Sequence, residues 1–157
     1  MKPRINAYIE QFNQIFNGNP WLDETFTKKL DNLSAEQVFT PSSNQNHSVA
    51  EVVSHLIEWR KEIIRRLHCN SSERMLTEQS PENWRQPEQL KQADWHHLYE
   101  EFKKTQQQII DLLKNKDDSF LDELLGETEF NKEYFVAGLL HHDLYHLGQI
   151  GLILKFV

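Results

Sequence analysis

The sequence predicts an all-α protein, a four-helix bundle with long crossover connections. Apolar residues recur at spacings of three and four along four long stretches, the period of an amphipathic helix. Short alternating runs of the kind that mark strands are nearly absent. Five Gly and five Pro in 157 residues are few, so long uninterrupted elements are expected. A chain of this length buries a core as one domain, spanning 1–157.

The first helix begins at Pro3, whose fixed φ suits a first turn, and carries Ile5, Tyr8, Ile9, Phe12 and Phe16 inward. Asn17, Gly18, Asn19 and Pro20 interrupt it, and the helix is expected to resume from Trp21 to Leu30. Ser34 with Gln37 marks a short helical turn, and the polar segment from Thr40 to His47 reads as a loop. Ser48 and Glu51 fit a capping box at the start of a second long helix that runs to His68. Val49, Val52, Val53, Leu56, Ile63 and Leu67 form its inward stripe. Residues from Asn70 to Gln92 read as one long connection, a length that often carries function. Trp84 lies within it, either anchoring a lid or, more simply, pinning the crossover to the bundle. The third long helix spans Ala93 to Lys114, with Trp95, Leu98, Phe102, Ile109 and Leu113 inward. A second connection holds a short turn at Phe120 to Leu125. The fourth long helix runs from Lys132 almost to the last residue, and its apolar character predicts that it is the most buried.

Charge and cysteine content narrow the classes of function. Seventeen basic against 24 acidic residues give a net charge of −7, which argues against non-specific nucleic-acid binding. Arg60, Lys61, Arg65 and Arg66 cluster towards the end of the second helix, where cations complement the helix dipole. Cys69 is the single cysteine, so no intramolecular disulfide forms, as suits a reducing compartment. The first residues lack a signal-peptide core and no run of about 18 apolar residues exists. A cytoplasmic protein with no membrane partner is expected.

The histidines carry the chemical signal. The inward stripe of the last helix reads Phe135, Leu139, His142, His146, Ile150, Ile153 and Val157. His142 and His146 therefore stand one turn apart, where Leu or Ile would be the default. An unsatisfied buried imidazole costs roughly 1–3 kcal/mol, and a divalent metal ion satisfies two at once. The plainer alternative is a pair of core histidines bonded to backbone or carboxylates. Asp143 occupies the position that holds the general base in the H-E-x-x-H metalloprotease motif, so that base is missing. A third ligand must come from another helix, and His55, on the flank of the second helix's stripe, is the best candidate. His141 lies about 100° around the helix from His142. His96 and His97 point away from their stripe, His47 is in a loop, and His68 sits near a helix C-terminus.

The run HDLYHLGQI at 142–150 resembles the H-x-x-x-H-x-G-Q signature of the DinB/YfiT-like superfamily. The segment SVAEVVSHLIEW at 48–59 resembles that family's other motif, and the resemblance extends over nearly the whole chain. It implies a four-helix bundle with crossover connections, homodimeric assembly, and a metal triad of His55, His142 and His146. It also implies a metal-dependent transferase or hydrolase acting on small molecules, with a low-molecular-weight thiol such as bacillithiol or mycothiol as cosubstrate. Many family members have no known activity, so a non-catalytic metal- or ligand-binding module is the alternative. Gln149 is close in phase to His142 and is a candidate to orient a ligand or a bound water. Gly148 would let another helix approach closely. Glu58 and Glu62, on the His55 side of their helix, are candidates to accept from a ligand or to be a fourth ligand, with solvated surface charge as the plainer reading. Histidine ligands discriminate poorly among metals, which leaves Zn, Ni, Mn, Fe and Co open. No catalytic residue beyond the metal ligands is expected, since neither a Ser–His–Asp arrangement nor a Gly-rich phosphate loop is apparent.

Overall fold

The computed structural model describes residues 1–43 and 47–157, and among these the chain is all-α, with no strand beyond an isolated bridge between Leu124 and Asn131. The elements are α1 (Pro3–Asn17), α2 (Phe26–Leu30), α3 (Ala35–Phe39), α4 (Val49–Cys69), α5 (Pro87–Ala93), α6 (Trp95–Lys114), α7 (Ser119–Asp122) and α8 (Lys132–Ile153). The four long helices pack as a ring: α4 lies against α6 and α8, and α1 against the same two. Hydrogen bonds at one end of the ring give their directions. Lys2 Nζ donates to the Lys114 carbonyl at 2.7 Å, Arg4 pairs with Glu133, and the Gly126 N–H donates to the Asn70 side chain at 3.2 Å. The start of α1, the ends of α4 and α6, and the start of α8 therefore share that end. It follows that α4 and α6 run parallel. Residues 70–94 carry the chain back along the molecule between them, as the crossover reading expects.

Local chemistry accounts for the element boundaries. Ser34 with Gln37, and Ser48 with Glu51, form complete capping boxes before α3 and α4. The segment after Pro20 does not resume as a helix at Trp21. Asp23 takes a left-handed φ of 55°, and α2 starts only at Phe26, where the Thr25 hydroxyl accepts from the Lys28 N–H. Trp21 is left fully exposed. The loop expected from Thr40 to His47 falls partly on 44–46, outside the described residues. The long connection contains α5, with Pro87 in its first turn and Leu90 buried. Asp94, at φ 68°, separates α5 from α6, so the third long helix begins at Trp95 rather than Ala93. No helix of the described residues is long and apolar enough to cross a membrane.

Two expectations about burial are corrected. The most buried long helix is α4, with 14 of 21 residues buried against nine of 22 in α8. Apolar character alone misleads here, because α8 is apolar on both sides and leaves Tyr134, Tyr145 and Leu152 exposed. The buried line of α8 is also broader than the expected stripe. Leu139, His146, Ile150 and Ile153 are buried as expected, Val136, Leu140, Asp143 and Leu147 join them, and Phe135 and His142 are only half-buried.

Asp143, a carboxylate, occupies the centre of that line because Arg60 meets it. Both residues are fully buried. Arg60 Nη2 lies 2.7 Å from Asp143 Oδ2, Nε donates to both carboxylate oxygens at 3.2 Å, and Nη1 donates to Thr105 Oγ1 at 3.3 Å. The guanidinium carbon sits 4.3 Å from the Phe102 ring centroid, with Phe26 at 5.7 Å and Phe16 at 5.9 Å. Arg60 is thus a core residue and not a surface cation answering a helix dipole. Arg66 is buried as well, its Nε donating to the Ser71 carbonyl at 3.2 Å.

Candidate metal centre

His55, from the first half of α4, and His142 and His146, from the middle of α8, come together towards the end of the molecule where α4 starts. One ligand-capable nitrogen from each lies within 4.8 Å of the others. The Nε2 atoms of His55 and His146 are 3.0 and 3.1 Å from His142 Nε2. The far sides of two rings are tied down. His55 Nδ1 is 2.9 Å from the Asn83 carbonyl oxygen, and His146 Nδ1 is 2.7 Å from Gln149 Oε1. Both oxygens are acceptors, so both Nδ1 atoms carry hydrogen and both Nε2 atoms present lone pairs. Gln149 is itself oriented, its Nε2 donating to the Tyr145 hydroxyl at 2.9 Å.

The electrostatics keep these rings neutral. Burial, then the neighbouring His146, His55 and Arg60, pushes the His142 imidazole down to about 3. Burial, then His55, lowers His146 to about 4 against the opposing bond from Gln149. Burial likewise lowers His55. Two fixed lone pairs face His142 Nε2, which as an N–H can donate to only one of them. The other contact is then lone pair against lone pair, and His142 Nδ1 is buried without a hydrogen-bond partner. A cation among the three nitrogens removes that conflict. Nitrogens bound tetrahedrally to zinc at about 2.0–2.1 Å stand about 3.3 Å apart, a few tenths of an ångström wider than the 3.0 and 3.1 Å seen here, so a small outward shift of the rings admits a divalent ion and the donor set suits it.

The crossover covers this cluster. Trp84 is sandwiched between two imidazoles, its ring 3.7 Å from His47 at an interplanar angle of 1° and 4.1 Å from His55 at 10°. Asn83 is buried, accepts from Trp59 Nε1 at 2.8 Å and donates to the Glu78 carbonyl at 3.1 Å. Trp84 therefore pins the crossover to α4 by lying on a ring of the cluster. Asn83 was not visible as a site residue from sequence. Its only signal is the Asn–Trp pair in an otherwise charged and polar connection.

The other candidates are placed as follows. The Glu58 carboxylate pairs with Arg85 at 2.5 Å and Lys61 at 3.5 Å. That of Glu62 accepts from Arg65 at 3.1 Å and from the Met75 N–H at 3.0 Å. His47 Nδ1 is 3.0 Å from Glu51. His68, His96, His97 and His141 are exposed. A Cβ on Gly148 would meet nothing within 4 Å, so no helix approaches it; of the glycines in α8 it is Gly151 that is under contact, from the Lys29 side chain.

An all-helical chain with three neutral imidazoles converging under a stacked tryptophan defines a class, the helical proteins with a histidine-lined centre. Within that class the chain belongs to the DinB superfamily, whose family model matches residues 22–150. No curated protein and no solved structure matches it.

Proposed function

We propose that His55, His142 and His146 hold a divalent metal ion, and that the protein is a metal-dependent transferase or hydrolase acting on small molecules, with a low-molecular-weight thiol as cosubstrate in transfer. The observation that carries this reading is the pair of fixed tautomers, with Asn83 and Gln149 turning two lone pairs onto the third ring's Nε2. When bound, such an ion supplies Lewis acidity and lowers the pKa of a coordinated water or thiol. The chain's own residues do the positioning. Asn83 and Gln149 hold the rings in register, Trp84 shields one face from water, and the carboxylates of Glu58 and Glu62 are engaged by cations.

Elemental analysis of purified protein tests the first half of the proposal. Wild-type protein should carry stoichiometric metal, and His55→Ala, His142→Ala and His146→Ala should each lose it. Metal content unchanged in His146→Ala would sink the site. Turnover of a thiol with an electrophilic small molecule tests the second half.

A non-catalytic, metal- or ligand-binding module is the competing reading. It is favoured by the engagement of the nearby carboxylates, which leaves no evident general acid or base. Metal-loaded protein that is inert across a broad panel of thiols, esters and amides would decide for it.

Proton linkage gives a prediction for the metal-free protein. His142 and His146 protonate at about 3 and about 4 in the folded chain, against about 6.5 when unfolded. Between those limits the unfolded chain binds more protons, so stability is complete above about pH 6.5 and declines as pH falls towards about 3. Urea denaturation should therefore show a lower midpoint at pH 5 than at pH 7. The double variant His142→Gln, His146→Gln should lose most of that difference.

A further inference from the structure

A cleft of about 390 Å³ opens beside His142, between α4 and the first half of α8. Trp59 and Ile63 wall it from α4, and Phe135, Gly138 and Leu139 from α8. Every lining side chain is apolar, aromatic or imidazole, and none is a lysine, arginine, aspartate or glutamate. The chemistry of such a cavity is selective. It rewards burial of apolar surface, and it strips water from a charged group without returning a counter-charge. Its volume suits one compact organic group.

Gly138 gives the cleft its width. Glycine is a poor residue inside a helix, and here neither backbone nor packing requires it. Gly126 is the glycine with positive φ, and a Cβ on Gly138 would meet nothing within 4 Å. The volume a side chain would occupy at Gly138 is the open volume of the cleft. Side chains on a helix lean towards its N-terminus, so a leucine at this position would lie over the turn that contributes Phe135.

We propose that this cleft is the substrate pocket beside the histidine centre, that it takes an uncharged aromatic or branched-alkyl group, and that Gly138 sets the size it accepts. The inference rests on the proposed function for what happens at His142, but capture of the apolar group does not depend on metal. The reacting end of the substrate is then presented at His142, and the apolar end is held between Trp59 and Phe135. Substrates carrying a phosphate or carboxylate on that end are rejected.

Isothermal titration of the full chain, metal-free and metal-loaded, with 2-naphthol and with naphthalene-2-sulfonate tests this. Wild-type protein should bind 2-naphthol saturably in both forms, and the sulfonate at least about tenfold more weakly. Gly138→Leu should weaken 2-naphthol binding by at least about tenfold while the thermal midpoint holds or rises. Gly138→Ala, which adds one methyl to a helix that favours it, should fall between the two and guards against misfolding of the larger variant. Absence of saturable naphthol binding, equal binding of the sulfonate, or equal binding by Gly138→Leu and wild type would each overturn the proposal. Elemental analysis of the same samples reads the metal centre separately. Protein that takes up metal but binds no naphthol defeats the pocket alone, and protein that binds naphthol but takes up no metal when metal is supplied defeats the metal centre alone.

Discussion

Arg60→Met will destabilise the protein by about 3–5 kcal/mol, because it strands a buried carboxylate. Asp143 is fully buried and its charge is answered by Arg60. Burial already pushes the Asp143 carboxyl above the usual carboxylate range, with Arg60 opposing that shift. The double variant Arg60→Met, Asp143→Leu should recover most or all of the loss, since replacing a buried ion pair by apolar residues is often neutral or stabilising. Urea midpoints of wild type, both single variants and the double variant form the cycle that measures this coupling. The pair also has a positional consequence. Arg60 follows His55 by five residues on α4, and Asp143 adjoins His142 on α8. The bidentate contact therefore sets how far α4 sits along α8, and with it the approach of His55 to His142. The double variant should fold well yet bind metal at least about tenfold more weakly. A double variant with wild-type metal affinity would reduce the pair to a packing element.

What could be read from sequence divides along the range of the interactions involved. The four long helices follow from short-range periodicity, and the two capping boxes from contacts three residues apart. That His142 and His146 share a face is likewise a property of one helix. Their meeting with His55 is not, because it depends on how α4 and α8 are aligned; motif resemblance supplied that expectation. Asp143 and Arg60 were missed for the same reason. Each looks like a surface charge until its partner across the interface is known, and for Arg60 a local argument about the helix dipole pointed the wrong way. The buried face of α8 is legible only in part, through Leu139, His146, Ile150 and Ile153, because apolar residues surround the helix and counting them does not show how far the buried side extends. His55 looked like a flank position, yet it is only 6% exposed. The crossover that covers it, through Asn83 and Trp84, lies in a stretch with no periodicity to read.

Gln149→Leu should weaken metal binding by about 10–100-fold without removing any ligand, the usual effect of deleting the group that orients a ligating imidazole. Gln149 Oε1 accepts from His146 Nδ1 at 2.7 Å, and this bond keeps the lone pair on Nε2, facing His142. Leucine retains comparable bulk and helix propensity but offers no acceptor, so the ring is free to turn or to carry its hydrogen on Nε2. Gln149→Glu is the informative companion. A carboxylate accepts the same bond more strongly and makes the imidazole a better donor, so affinity should match or exceed that of wild type. Competition against a chromogenic chelator reads all three proteins on one scale. Tyr145→Phe removes the hydroxyl that receives the Gln149 Nε2–H and should have a smaller effect, since the amide loses one anchor and keeps its bond to His146. Equal affinity in wild type and Gln149→Leu would mean that the His146 tautomer is fixed by something other than Gln149. The case for a metal centre would then rest on the convergence of the three Nε2 atoms alone.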